Sequence, residues 1–396
     1  MKKISFENLK AIVVIHEFTS GLGHDLRDYI LAHKVEELLF IAHPLLYIPQ
    51  NYKNSSRFEL YKKGKLLKTG KALHWNLPEP LLYVKDFLYT LFWSVRFIGK
   101  SNLFFGVGNL NAFAGLVLRF FYLAGSVTYY VIDYVPIRFQ NKLLNNIYHW
   151  IEKISAKYSS WTWNLSPRMI EARNNKWNEK FNNQLIVPHG LDYDRIKRVS
   201  FEKINKYEIL YMGSLLKKQG IQLVIEILPD LIKEIPSVRF TIIGTGPYNV
   251  ELKRLVKKLS LESYVSFLGY IASHAEMEER VAKAAIAIAL YNKEYDDFSY
   301  FADPGKVKSY LGAGVPIIIT DVPFIARQVN DKKCGFIINY DKNDLYKILI
   351  KYFKDEKLMK EYRENAVEFA KQYDWDKLFT GVFSKILNAL ENLQKI

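Results

Sequence analysis

A single cysteine, Cys334, in 396 residues excludes an intramolecular disulfide framework and any cysteine-rich zinc module. Long apolar runs are missing as well. The two most apolar stretches are Leu81–Ile98, interrupted by Lys85, Asp86 and Arg96, and Leu103–Leu118, which includes Asn109 and Asn111. Neither supplies the ~20 apolar residues of a spanning helix. Met-Lys-Lys at the start is followed by Ile-Ser-Phe-Glu-Asn-Leu-Lys, which breaks the apolar region a secretory signal needs. No His-x-x-His or Asp-x-Asp spacing suggests a bound metal, and no recognisable nucleic-acid motif occurs. Acidic residues are scarce in one half only. Residues 1–200 hold 27 Lys and Arg against 15 Asp and Glu, while residues 201–396 hold 29 against 26. The expectation is a cytoplasmic protein, at most peripheral at the inner face of a membrane, with no nucleic-acid partner.

What is present is a globular composition, 49% hydrophobic, 24% charged and 15% aromatic, long enough for two or three domains. Much of the basic excess sits in one stretch, where Lys53, Arg57, Lys62, Lys63, Lys65, Lys68 and Lys71 face only Glu59. Tyr52, Phe58 and Tyr61 are interleaved with them. Two readings stand: a solvated loop or hairpin, or a surface attracted to phosphates and anionic lipid headgroups.

Short β-rich runs alternate with amphipathic stretches, the pattern of parallel sheets covered by helices. In the first half, strands are predicted at Ala11–Ile15, Leu38–Ile41, Leu103–Gly106, Val127–Ile132 and Gln184–Val187, with helices over Asn111–Tyr122 and Asn141–Ser159. A polar stretch, Asp192–Lys206, follows, and the pattern restarts. Strands are then predicted at Ile209–Met212, Arg239–Ile243, Val265–Leu268, Ala285–Leu290, Pro316–Thr320 and Gly335–Ile338. Helices are predicted at Ile221–Glu234, Val250–Leu259 and Pro304–Gly312. The organisation read from this is an N-terminal α/β domain over 1–190, a linker over 191–206, and a C-terminal α/β domain over 207–375. A last helix over 376–396 would pack back on the first domain.

The second half carries turns in a fixed order: Gly213-Ser214, Lys217-Lys218-Gln219-Gly220, Gly244-Thr245-Gly246-Pro247, Phe267-Leu268-Gly269, and Leu311-Gly312-Ala313-Gly314-Val315-Pro316. Val187-Pro188-His189-Gly190-Leu191-Asp192 precedes them. This order and spacing resemble the retaining nucleotide-sugar glycosyltransferases of the GT-B fold, family 4. The resemblance covers residues 186–375 clearly and the first half only by architecture. It implies two Rossmann-like domains facing across a cleft, the donor nucleotide on the C-terminal one and the acceptor on the N-terminal one.

On the donor side the resemblance implies Gly213, Ser214, Gly244, Gly246 and Tyr270 near the nucleotide. Lacking a side chain, Gly213 would let backbone N–H groups approach a phosphate. The family's Arg after the first glycine is Ser214 here, and its Lys falls at Gln219, which leaves Lys218 as the expected phosphate clamp. Asp303-Pro304-Gly305-Lys306 predicts a helix beginning at Pro304 and capped by Asp303, with an anion site at its N-terminus. A cation in that first turn, Lys306, opposes the helix dipole and makes sense facing an anionic ligand. Asp303 is read either as that cap or as a group turned to the sugar hydroxyls. The family's paired Glu positions fall on Phe301 and Ser309, neither of them acidic.

On the acceptor side, strand ends supply the candidates. Gly21, Gly23 and His24 follow the first strand, His189 lies at the interdomain turn, and Asp133 follows Val131-Ile132. Asp133, His24 and Asp303 are the catalytic candidates, an acid at a strand end being able to orient or deprotonate a hydroxyl. The function implied is transfer of a sugar from a nucleotide diphosphate, UDP or GDP, to a saccharide or lipid-linked acceptor with retention of configuration. No cofactor or metal is called for, and an anionic membrane surface is a further expected partner. A nucleotide-sugar epimerase or hydrolase, or a non-catalytic nucleotide- or glycan-binding relative, is the competing reading.

Overall fold

Apolar runs that stay buried on both faces pair into two separate, largely parallel sheets in the computed structural model, which describes residues 5–17, 21–45, 55–73, 77–294 and 297–393. Phe18, Thr19, Ser20, Tyr52, Lys53 and Asp296 lie outside the described residues. The chain divides into two units, Met1–Pro188 with Asp376–Ile396, and His189–Trp375.

The N-terminal unit holds an eight-stranded sheet. Its strands are β1 (Lys10–Ile15), β2 (Glu37–Ala42), β3 (Arg57–Lys62), β4 (Lys65–Lys71), β5 (Ser101–Val107), β6 (Ala124–Val131), β7 (Trp161–Asn164) and β8 (Gln184–Ile186), in the order β4-β3-β2-β1-β5-β6-β7-β8. β3 and β4 form the antiparallel hairpin; the other pairings described are parallel, apart from the antiparallel junction of β2 with β3. The basic stretch is therefore an edge hairpin. Lys65, Lys68 and Lys71 line the outermost strand, where charge discourages pairing with another chain.

Among the described residues, the helices that accompany this sheet before the last helix of the chain joins them are α1 (Leu22–Ala32), α2 (Glu79–Phe97), α3 (Asn109–Phe120), α4 (Lys142–Tyr158) and α5 (Pro167–Trp177). Strand alternation divides them between the two faces. Phe104 meets α3, where a Cβ at Gly115 would collide with its ring, while the adjacent Phe105 turns the other way onto Trp163 and Phe383. On that second face Tyr29 of α1 stacks on Phe383 at 5.3 Å and shares a hydrogen bond with Thr380 at 3.0 Å. Phe379, Thr380 and Phe383 belong to the last helix of the chain.

The C-terminal unit holds six parallel strands, β9 (Asn205–Met212), β10 (Arg239–Ile243), β11 (Val265–Gly269), β12 (Ala284–Ala289), β13 (Ile317–Thr320) and β14 (Gly335–Ile338), in the order β11-β10-β9-β12-β13-β14. Its helices are α6 (Ile221–Glu234), α7 (Asn249–Lys258), α8 (His274–Ala282), α9 (Asp297–Phe301), α10 (Gly305–Gly312), α11 (Ile325–Asp331), α12 (Lys342–Phe353) and α13 (Glu356–Ala370); the chain's last helix is α14 (Trp375–Leu393). Strand order reverses between β9 and β12, which opens a crevice at their carboxyl ends where α/β sheets receive ligands. The stretch 191–206, expected as a linker, clusters with this unit. Leu191 and Ile196 are buried in its core, and Arg198 donates to the Gly312 carbonyl at 2.9 Å. Its polar composition hid two apolar anchors.

Candidate donor site and acceptor-side residues

At the switch point the loop after β9 lies directly on the loop after β10. Gly244 has φ +127°, and a Cβ there would overlap the Gly213 carbonyl oxygen; Gly213 itself has φ +141°. Two amides fasten the loops together, Gly213 N–H to Ile243 O at 3.0 Å and Leu215 N–H to Thr245 O at 2.9 Å, while Gly244 N–H ties the second loop to Gly269 O of β11 at 2.7 Å. The Gly213 N–H is thus engaged within the protein, so the backbone N–H groups expected to approach a phosphate do not include its own. Gly213 and Gly244 let two backbones touch. A Cβ at Gly246 would likewise meet the Leu215 backbone. Ser214 projects next, exposed, its carbonyl accepting the Tyr211 hydroxyl at 2.7 Å.

Lys306 comes to the same place from α10. Its ammonium donates to Gln219 Oε1 at 2.5 Å and sits 4.7 Å and 5.0 Å from the centroids of Tyr211 and Tyr291. Its Cδ would lie 3.8 Å from a Cβ on Gly213. Lys218, the expected clamp, has its ammonium 6.0 Å from the Phe298 ring, and its carbonyl accepts the Asn292 N–H at 3.0 Å. Gln219 and Lys306 went unpaired in the sequence reading. They are 87 positions apart, and only the fold joins them.

Helix α10 starts one residue later than expected. Pro304 is the N-cap and Gly305 the first helical residue, with no side-chain cap. Asp303 does not cap, its carboxylate being turned to other partners. Oδ2 accepts the His189 amide at 2.8 Å and Oδ1 accepts the Lys308 ammonium at 2.5 Å. This pair is buried, Lys308 being 1% exposed and Asp303 8%, and the ammonium lies 4.2 Å from the Tyr373 centroid. Burial lowers the Lys308 pKa, and Asp303 opposes that shift. Asp303 is therefore withdrawn as a catalytic candidate and becomes a positioning residue beneath α10. His189 packs its ring against Gly305 and Trp375. Its Nδ1 must donate to the Gly190 carbonyl at 2.9 Å, since that oxygen only accepts. Burial lowers the His189 pKa, which keeps the ring neutral with Nε2 bare. Ser309 donates back to the Gly305 carbonyl at 3.3 Å, and Phe301 makes an edge contact with Tyr300. Tyr270, 77% exposed, follows Gly269 at the end of β11.

In the N-terminal unit, Asp133 follows β6 at an accessible position, yet the protein around it raises its carboxyl to about 6. His24 is corrected. It is 7% exposed and packed on Phe40, and burial, then Arg27 and Arg57, lower its pKa to about 4. The first turn of α1 rotates it into the sheet rather than toward a ligand. Gly23 lies against Ile15 for the same reason, and Gly21 is the N-cap of α1 beside the Glu17 carboxylate. Glu17, at the end of β1, is pushed up to about 8 by burial and then by Asp25 and Asp133.

A polar cluster missed in the sequence lies at the neighbouring strand ends. Buried Asp86 accepts from Ser56 Oγ at 2.7 Å and pairs with Lys85 at 3.0 Å, with His43 Nδ1 at 3.4 Å and His16 Nε2 at 3.5 Å. Asn111 Nδ2 donates to Val107 O at 2.6 Å, which fixes the amide, so His16 Nδ1 at 3.0 Å accepts from it. Burial alone would raise the Asp86 carboxyl, but His43 and His16 outweigh it and hold the group well below the ordinary carboxylate range. His16, His43 and Asp86 share no sequence spacing, so no motif signalled them. Among the described residues, no three His, Cys, Asp or Glu side chains converge as a metal would need.

Comparison with known proteins places this geometry. Residues 192–369 match the family model of glycosyl transferases group 1. The chain is 25% identical over 154 residues to chitobiosyldiphosphodolichol beta-mannosyltransferase of Candida albicans, 38% of this chain and 33% of that one. It is 22% identical over 225 residues to alpha-monoglucosyldiacylglycerol synthase of Streptococcus pneumoniae, 51% of this chain and 49% of that one. Against these curated relatives the chain spans half their length or less. Several solved structures match nearly end to end. A glycosyltransferase from Rickettsia africae has a TM-score of 0.72 at 11% identity, covering 97% of this chain and 99% of that one. HepE of Anabaena in complex with UDP and glucose has a TM-score of 0.68 at 14% identity, covering 96% and 99%. At these identities the structures establish the shared fold, GT-B.

Proposed function

We propose that this chain, a GT-B protein whose residues 192–369 carry a glycosyl transferases group 1 region, transfers a hexosyl group from a nucleoside diphosphate sugar to a saccharide or lipid-linked acceptor. The observation that carries the reading is the meeting of Ser214, the Lys306–Gln219 pair and the start of α10 at the switch point of the six-stranded sheet. Where the resembling family places a cation at position 219, this chain has an amide that grips the cation of Lys306. The charge has moved to a facing element.

In the reaction, the bond from the anomeric carbon to the β-phosphate oxygen breaks with its electron pair on the phosphate, the acceptor oxygen bonds that carbon, and the acceptor's hydroxyl proton passes to the leaving phosphate. Negative charge grows on the diphosphate, and the Lys306 ammonium with the first amides of α10 is the preorganised stabiliser. Asp133, its carboxyl near 6, is the acceptor-side group that would hold the attacking hydroxyl. With no carboxylate at Phe301 or Ser309, assistance from the leaving phosphate itself, and hence retention, is the mechanism this reading favours. UDP or GDP is the nucleotide class. The lipid product named for the pneumococcal relative supports a lipid acceptor; use of the product in cell-surface polysaccharide or glycoconjugate at the cytoplasmic face of a membrane belongs to the same proposal.

The test is nucleotide release from UDP- and GDP-sugars with and without lipid-linked acceptors. Release that requires an acceptor, with a product of unchanged anomeric configuration, is expected. Hydrolysis or epimerisation without any acceptor would replace transfer by the competing activity. Ser309, whose hydroxyl is spent on Gly305, favours a second reading as a nucleotide binder; binding without turnover would support it.

A further inference from the structure

Helix α2 buries Leu82 and Trp93 in the core but carries polar residues inward and apolar ones outward beside them. Its buried residues include Lys85, Asp86, Thr90 and Ser94, whereas Leu81, Val84, Leu88, Phe92 and Val95 are 48–59% exposed. Those five positions follow helical spacing and form one outward stripe. The rotation is pinned from within. Asp86 is held by Ser56 and Lys85, and Thr90 Oγ1 lies 2.8 Å from His43 Nε2 while donating to the Asp86 carbonyl at 2.9 Å. Turning the stripe inward would bury it only by breaking this network, so the exposed apolar face is fixed by the fold.

The stripe continues across the helix layer. Phe87 of α2 lies 5.9 Å from Phe113 of α3, which lies 6.0 Å from Trp150 of α4. On α4, Leu143, Ile147 and Trp150 are 68%, 45% and 52% exposed. At the end of α3, Phe120, Phe121 and Tyr122 are 77%, 62% and 84% exposed in one turn, with Tyr122 at φ +59°. Arg119 ties that turn to the end of α4 through the Tyr158 carbonyl. Surfaces of this kind on a soluble domain mark an interaction site.

The charges say what covers it. Among the described residues, no carboxylate of α2, α3 or α4 is exposed: Asp86 and Glu152 are buried and Glu79 is half-buried against Arg138. Cations gather at the C-terminal end of α2 instead. Lys68 and Arg96 both lie over the Phe97 ring, at 5.2 Å and 5.7 Å, and Lys63, Lys65 and Lys100 are exposed beside them in the chain. Among the described residues, no helix is long and apolar enough to cross a membrane. An exposed apolar face with aromatics and with cations at the end of α2 is complementary to an anionic bilayer surface.

We propose that the outer face of α2, α3 and α4 seats the N-terminal unit on an anionic lipid bilayer. It deepens the lipid-linked acceptor reading but stands on separate residues. The experiment is flotation of the full chain, without nucleotide, on vesicles of phosphatidylcholine alone or mixed with phosphatidylglycerol. Flotation with the mixed vesicles is expected. Leu88→Glu/Phe92→Glu, two exposed changes, should weaken it at least about tenfold. Lys63→Gln/Lys65→Gln/Arg96→Gln should weaken it about ten- to a hundredfold and leave residual apolar binding. No flotation of the parent chain, or flotation of Leu88→Glu/Phe92→Glu equal to the parent, overturns the proposal. So does a dimer in sedimentation equilibrium that Leu88→Glu/Phe92→Glu dissolves, which would assign the face to a second copy. Nucleotide titration of the same variants is expected to be unchanged, and its failure in the parent chain would strike the transferase reading alone.

Discussion

Replacing Lys308 by Met tests the support beneath α10. The ammonium is 1% exposed, 2.5 Å from Asp303 Oδ1 and 4.2 Å from the Tyr373 centroid. Methionine fills similar volume but leaves the Asp303 carboxylate buried with the His189 amide as its other hydrogen-bond donor. Breaking a buried pair from one side costs about 3–5 kcal/mol. In a unit of this size that lowers the melting transition by about 6–20 °C. Lys308→Met/Asp303→Asn should regain most of the loss, because a neutral amide keeps the His189 contact without an orphaned charge. Calorimetry of the parent, both single variants and the double variant gives the coupling. Nucleotide titration of the same set should show affinity falling in Lys308→Met and returning in the double variant. A loss below about 1 kcal/mol in Lys308→Met, or singles that simply add, would refute the buried-pair account.

Gly244→Ala places a methyl group on the Gly213 carbonyl oxygen at φ +127°, so it should destabilise the C-terminal unit by about 1–3 kcal/mol and weaken nucleotide binding, read by thermal unfolding and titration. Glu17, raised to about 8, keeps its proton in the folded state from about pH 4.5 to 8, so stability should fall as pH rises through that window. Glu17→Gln should flatten the decline, measured by urea unfolding at several pH values. Lys218→Ala should weaken nucleotide affinity less than Lys306→Ala, because Lys306 is the cation held beside Gly213; equal losses in titration would put the two on the same footing.

The two α/β patterns, their restart after the polar stretch and most strand positions were legible because buried parallel strands read as continuous apolar runs. The hairpin β3–β4 read as two alternatives, since its exposed lysines carry no buried face to betray a strand. Leu81–Ile98 read as an apolar stretch with three charges, and only the fold shows that Lys85 and Asp86 turn inward. At the donor site the glycines were legible, but their use was not. Gly213 and Gly244 serve each other before any ligand, and that depends on strand neighbours 31 positions apart. Asp303 read as a cap because Asp-Pro-Gly suits a helix start; Lys308, buried five residues later, claimed its carboxylate. His16, His43 and Asp86 come from three elements and carry no local signature at all.

Isothermal titration of the full chain with UDP, GDP and ADP, beside its Lys306→Ala variant, tests the central claim most directly. UDP or GDP is expected to bind, with ADP as the comparison. At a hundred times its dissociation constant the bound nucleotide should stabilise the native state by about 2.7 kcal/mol, with the variant losing at least about tenfold in affinity. No heat from any nucleotide, or binding that Lys306→Ala leaves unchanged, would contradict it.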